Sequence, residues 1–110
     1  MESRDAFERR MWRLWSDRPF PDTSRAGGWM RWVRVTRGQT ADEVAFVSNM
    51  SVKLLYELER GHKRLDSVEK ALSLAYALNQ DPLRFMHRVV TDILADREID
   101  LPEVGESVHG

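Results

Sequence analysis

The sequence contains no cysteine among its 110 residues. A disulfide scaffold, a thiolate nucleophile and a cysteine-ligated metal site are therefore excluded. Long hydrophobic runs are also missing, and none approaches the ~20 residues that a membrane-spanning helix needs. The N-terminal segment mixes both charge signs, unlike a secretory signal peptide. We therefore expect a cytoplasmic protein that does not associate with membranes.

Signatures of catalysis are absent as well. The three histidines have no metal-ligand spacing, and the sequence has neither a glycine-rich phosphate loop nor a nucleophile elbow. The acidic residues near the C-terminus follow no helical period, so they are not expected to hold the geometry of an acid–base pair. The sequence predicts no enzyme, no cofactor and no metal.

The sequence does have the composition of a small globular domain, with 42% apolar and 32% charged residues. Its net charge of −1 conceals an asymmetry: residues 1–66 carry 13 basic and 10 acidic side chains, whereas residues 67–110 carry 4 and 8. A polyanionic partner would bind the first two thirds of the chain. An excess of basic side chains of this size also falls within ordinary variation.

Apolar spacing, caps and breakers predict an all-α protein with six helices. The predicted helices cover 3–16, 29–37, 41–48, 52–60, 68–78 and 82–96. The buried face of the fifth is expected to carry Val68, Leu72, Ala75 and Leu78. We divide the chain into an amphipathic helix with a proline-containing connector (1–26), a helical domain (27–96) and a flexible acidic tail (97–110).

The most informative segment is Thr40–Gly61, because a short turn between two helices can place the second in the major groove of DNA. A set of residues recurs there and beside it at fixed spacing: Arg34, Gly38, Thr40, Glu43, Ala45, Ser51, Leu55, Leu58–Gly61 and Leu74–Leu78. This block resembles the Cro/cI-type helix-turn-helix of the XRE family over about residues 29–86. The resemblance implies a lambda-repressor-like five-helix core, to which the N-terminal helix is an addition.

The resemblance also assigns structural roles to four residues. It implies a mostly buried ion pair between Arg34 and Glu59, which would allow both charges to lie near the core. Ala45 corresponds to the close crossing of the two motif helices, and Met50 to the apolar turn residue that fills the core.

Candidate DNA contacts follow from the same alignment. The base-reading positions correspond to Val52, Lys53 and Glu57: lysine can pair with guanine, valine can touch a thymine methyl, and glutamate can accept from cytosine but repels phosphate. Ala41 stands where the family commonly has a phosphate-bracing glutamine. The basic residues at the motif ends are candidates for contact with the DNA backbone, namely Arg37, Arg60, Lys63 and Arg64.

Three residues of the first motif helix depart from the family pattern. We expect Val47 to be buried and Ser48 exposed, in a register rotated by one residue. Phe46 is expected to be covered by the N-terminal helix; alternatively, Phe46 and Val52 form a protein-binding patch.

Two further apolar sets have alternative interpretations. Trp12, Trp15, Trp29 and Trp32 are expected to form a hydrophobic seam, in preference to a subunit interface or a base-stacking platform. The stripe of Leu83, Met86, Val90 and Ile93 on the last helix predicts a dimer interface, the alternative being packing against the N-terminal helix.

The sequence thus predicts a homodimeric, sequence-specific DNA-binding regulator that acts as a repressor at a palindromic operator. The alternative is a helix-turn-helix protein that binds a protein partner instead of DNA, in the manner of an anti-activator or antitoxin.

Overall fold

Six helices follow one another along residues 1–96, the part of the chain that the computed structural model describes. The helices are α1 (Arg4–Trp15), α2 (Ala26–Thr36), α3 (Ala41–Val47), α4 (Val52–Glu59), α5 (Val68–Ala77) and α6 (Pro82–Asp96). The described residues contain no strand, so the all-α prediction is confirmed. The flexible acidic tail expected over 97–110 lies outside the described residues, and the division of the chain into three parts stays a prediction.

Local capping explains where most of these helices begin. The hydroxyl of Thr40 accepts a hydrogen bond from the backbone N–H of Glu43 at 3.1 Å, as the capping pattern predicts. Ser51 and Ser67 cap α4 and α5 in the same way. The turn after α3 passes through Asn49 with φ at 56°, a left-handed conformation that asparagine tolerates.

Helix α2 begins three residues earlier than the sequence predicts, because Gly27 and Gly28 are packing residues rather than turn residues. A Cβ atom on Gly27 would lie 2.2 Å from the carbonyl oxygen of Leu58 at the end of α4. The missing side chain therefore lets α2 approach α4 closely.

Helices α2 to α6 all contribute buried side chains to one hydrophobic core. Its largest fully buried side chains are Phe85, Leu55, Leu74, Leu78 and Val44. Helix α2 packs on α4 and α6, and α3 packs on α4 and α5. Helix α1 packs on α2, where the guanidinium of Arg10 donates to the carbonyl of Thr36 at 2.7 Å. None of the six described helices is long and apolar enough to cross a bilayer.

The prediction for the buried face of α5 is right for Ala75 and Leu78 but wrong for Val68 and Leu72. Val68 and Leu72 are exposed, and Ala71 and Leu74 are buried in their place beside Ala75. Both sets of residues repeat at helical spacing. The positions of α3 and α6, which pack against α5, decide which set is buried.

The predicted rotation of α3 is also wrong, since Val47 is exposed and Ser48 is only 3% exposed. Ser48 lies four residues after the buried Val44 and therefore faces the same side of the helix. Phe46 is 86% exposed, so the expected cover by the N-terminal helix is absent because α1 packs on α2.

The four tryptophans do not form a single seam. Trp15 is buried, and Trp29 packs against Phe85 with ring centroids 5.6 Å apart. Trp32 is half-buried beside the core, whereas Trp12 is exposed.

Candidate nucleic-acid interface

Helix α4 has two chemically distinct faces. Leu55, Leu58 and Glu59 point inward and are buried. Lys53 and Arg60 are exposed on the outer side. The turn of 48–51 joins α4 to α3, so the two helices have the arrangement of a helix-turn-helix motif.

A buried ion pair ties the inner face of α4 to α2. The guanidinium of Arg34 donates from Nε to Glu59 Oε2 at 2.6 Å and from Nη2 to Oε1 at 3.0 Å. The two side chains are 10% and 2% exposed. Burial disfavours the charged guanidinium, but the hydrogen bonds and charge of Glu59 outweigh it and hold the pKa of Arg34 above its ordinary value. Because this bidentate pair has a fixed geometry, it orients α4 relative to α2.

The other two residues given structural roles are also inside or beside the core. Ala45 is buried on α3, and Met50 is half-buried in the turn and packs against the core cluster. Ala41, at the position of the family's phosphate-bracing glutamine, is buried. A buried methyl group leaves that corner of the interface without a side-chain hydrogen-bond donor.

The three predicted base-reading residues have different surroundings. Lys53 is exposed, and Val52 is half-buried against the core cluster. Glu57 Oε2 forms an ion pair with Lys63 Nζ at 3.1 Å. This contact joins a predicted base-reading residue to a predicted phosphate-contacting residue, and Lys63 neutralises the charge that would repel DNA.

The predicted backbone-contacting residues line the ends of the motif. Arg37 is exposed as the C-cap of α2. The guanidinium of Arg60 lies 5.5 Å from the ring centroid of Tyr56, one turn back on α4. This stack was not among the expected contacts, although the i, i+4 spacing of Tyr56 and Arg60 is a signal for it.

Arg64 takes part in a cluster of four charged residues, here called the α6 ion cluster: Arg25, Arg64, Asp92 and Asp96. Arg25 binds Asp92 at 3.0 Å and Asp96 at 2.8 Å, and Arg64 also binds Asp96. The hydrogen bond from Arg25 and the charges of both arginines hold the pKa of Asp96 below its ordinary value. Arg25, Arg64 and Asp92 border a cavity of about 410 Å³ between α2, α4 and α6.

The predicted dimer stripe on α6 is only half available. Leu83 and Val90 are exposed, whereas Met86 and Ile93 pack against the core. Helix α5 adds an exposed apolar row at helical spacing, which consists of Val68, Leu72 and Tyr76. The outer surface of these two helices is therefore more apolar than α6 alone suggests.

A relative of this chain is found among the solved structures. No family model matches the sequence, and no curated protein matches it. The chain is similar to the crystal structure of the clp gene regulator ClgR from Corynebacterium glutamicum, with 31% sequence identity and a TM-score of 0.53. The alignment covers 73% of this chain and 87% of the ClgR chain.

Proposed function

The chain belongs to the helix-turn-helix family that includes ClgR, and from that premise we propose that it is a sequence-specific DNA-binding regulator of transcription. The outer face of α4 carries the proposal. This face presents Lys53 and the Tyr56–Arg60 stack to solvent, while a buried ion pair holds its inner side. A helix fixed in this way can enter the major groove without losing further conformational freedom.

We assign base reading chiefly to Lys53, whose amino group can reach the acceptors of guanine. Val52 contributes contact with a thymine methyl through its exposed part. Glu57 can accept from cytosine through Oε1, because its ion pair with Lys63 is made through Oε2. Arg37, Arg60, Lys63 and Arg64 contact phosphates, so the ends of the motif supply the sequence-independent part of the affinity.

We further propose a Cro/cI-type assembly. Two copies place α4 in successive major grooves, ~34 Å apart, on a palindromic operator. The exposed apolar side chains of α6 form the contact between copies, and occupation of a promoter makes the protein a repressor.

Paired substitutions at Lys53 and Lys63 test DNA reading, because the two residues have different expected roles. Titrations use a duplex from the gene's own upstream region and a scrambled duplex, each at two salt concentrations. Lys53→Ala should lower affinity for the cognate duplex by about 1–3 kcal/mol and leave binding to the scrambled duplex nearly intact. Lys63→Ala should weaken both and reduce the salt slope by about one.

Lys70→Ala is the matched control. Lys70 lies in the first turn of α5 and is paired with Asp66. This variant therefore also removes one positive charge, but at a site away from α4. It should follow wild type on both duplexes. Sequence-blind, micromolar binding by wild type and Lys53→Ala alike would contradict the proposal.

The second candidate function, a protein-interaction module, is favoured by the 86% exposure of Phe46 on α3. An exposed phenylalanine can serve as an anchor for a protein partner. In that case Phe46→Ser would abolish capture of a partner protein, and Lys53→Ala would have no effect on DNA binding.

A further inference from the structure

Two carboxylates near the end of α6 hold two arginines from distant parts of the chain. Asp92 and Asp96 bind Arg25, which precedes α2, and Asp96 also binds Arg64, which lies in the loop after α4. Two positive and two negative charges make the α6 ion cluster neutral. The cluster leaves neither arginine with an uncompensated charge.

This arrangement places a carboxylate where a phosphate oxygen would otherwise bind. Carboxylates and phosphates use the same donors of a guanidinium group. Arg64 has further N–H donors, but Asp96 offsets its positive charge, so a phosphate that shares Arg64 with Asp96 is attracted less strongly than one that binds Arg64 alone. The shared oxygen of Asp96 already accepts from both arginines, so its loss would leave the cluster with one unit of positive charge.

The cluster is accessible enough for such an exchange. The side chain of Arg64 is 46% exposed and that of Asp96 is 23% exposed. An ion pair at the surface is weak compared with a buried pair, so breaking it does not strand a charge inside the protein.

We propose that Asp92 and Asp96 are an internal competitor for polyanion binding: they occupy the arginines in the free protein and are displaced when a phosphate binds Arg64. That the displacing polyanion is DNA rests on the function proposed above. The competitor lowers affinity for DNA of any sequence and reduces the number of counterions that binding releases. It thereby limits sequence-independent binding, in which phosphate contacts supply almost all of the affinity.

The substitution Asp96→Asn tests the proposal, since the amide keeps the shape of the side chain and removes its charge. This variant should bind a scrambled duplex about three- to tenfold more tightly than wild type, with a salt slope steeper by about one. Adding Arg64→Ala to it should remove most of the gain. A thermal melt checks that the variants are folded, and the double variant separates the effect of Arg64 from any loosening of α6.

Glu8→Gln is the matched control, because Glu8 also binds an arginine, Arg4, on the surface of α1. It removes the same charge and also frees an arginine. Equal gains in Glu8→Gln and Asp96→Asn would reduce the effect to net charge and overturn the proposal. Weaker binding by Asp96→Asn would overturn it too, because Asp96 would then position Arg64 for phosphate.

Elution from immobilised heparin, a sulfated polysaccharide, measures the competition without DNA. If Asp96→Asn elutes later than both wild type and Glu8→Gln, the competitor is supported. This holds even if wild type has no sequence preference on DNA, in which case the proposed DNA function alone fails. Unchanged elution, together with cognate DNA binding by wild type, refutes the competitor and leaves the DNA function standing.

Discussion

Replacing Glu59 with alanine would leave the Arg34 guanidinium inside the protein without its carboxylate. Both hydrogen bonds of the bidentate pair would be lost at once, and the Glu59 side chain, 2% exposed, would leave a space that bulk water does not reach freely. The destabilisation would then come chiefly from the stranded positive charge, and less from the lost attraction between the two partners.

The expected cost is about 3 kcal/mol, the lower end of the range for breaking a buried pair. Arg34 would keep one hydrogen bond, from Nη1 to the carbonyl of Gln39 at 3.2 Å, and it is 10% exposed, so some hydration can reach it. In a domain of this size, a loss of that magnitude lowers the melting temperature by roughly 15 °C.

Thermal melts followed by circular dichroism provide the assay, with Glu57→Gln as a control on the same helix. Glu57 pairs with the exposed Lys63, so its substitution should leave the melting temperature close to that of wild type. Adding Arg34→Met to Glu59→Ala should recover much of the loss, since no buried charge remains. A Glu59→Ala protein that melts within about 2 °C of wild type would refute the argument.

Two other substitutions test the packing of the fold and the assembly of two copies. Gly27→Ala should destabilise the protein by about 3 kcal/mol, because the new methyl group would lie 2.2 Å from the Leu58 carbonyl oxygen. Chemical denaturation measures this loss, which should exceed that of Gly38→Ala. The space around Gly38 is open, so only its left-handed backbone conformation opposes a side chain. Val90→Glu, on the exposed side of α6, should give a folded monomer by light scattering and weaken operator binding, whereas a wild-type protein that is already monomeric at high micromolar concentration would contradict the dimer.

Short-range signals in the sequence located the helices well. The hydroxyl caps of Thr40, Ser51 and Ser67 are present, and each bonds a backbone N–H three residues ahead. The left-handed conformation of Asn49 was also predictable. These features depend on neighbours in the chain, so no knowledge of the tertiary structure is needed to identify them.

The choice of the buried face was less predictable, because it depends on which helices pack nearby. In α5, Leu72 and Leu74 are equally apolar, but only Leu74 is buried. Ser48 shows the same problem, since its polarity argued for exposure while its spacing from Val44 placed it inside. Its hydroxyl has no hydrogen-bond partner among the described residues.

In the candidate site, too, features set by neighbours in the chain were predictable and features set by tertiary packing were not. The ion pair of Arg34 and Glu59 and the outward position of Lys53 come from spacing within the motif. In contrast, Arg64 meets Asp96 across 32 positions of sequence, and ion pairs of that kind leave no periodic pattern. The tertiary structure was needed to show that a predicted phosphate contact already has a carboxylate partner.

The two faces of α4 have a practical consequence for protein engineering. Its buried side is committed to α2 through the close approach of Gly27 and the ion pair of Glu59, so a recognition helix grafted whole from another protein would disturb that interface. The exposed positions carry no such commitment. A library that varies Lys53, Tyr56 and Arg60 alone can therefore explore new DNA targets while the scaffold keeps its stability, because surface substitutions away from buried contacts usually change it little.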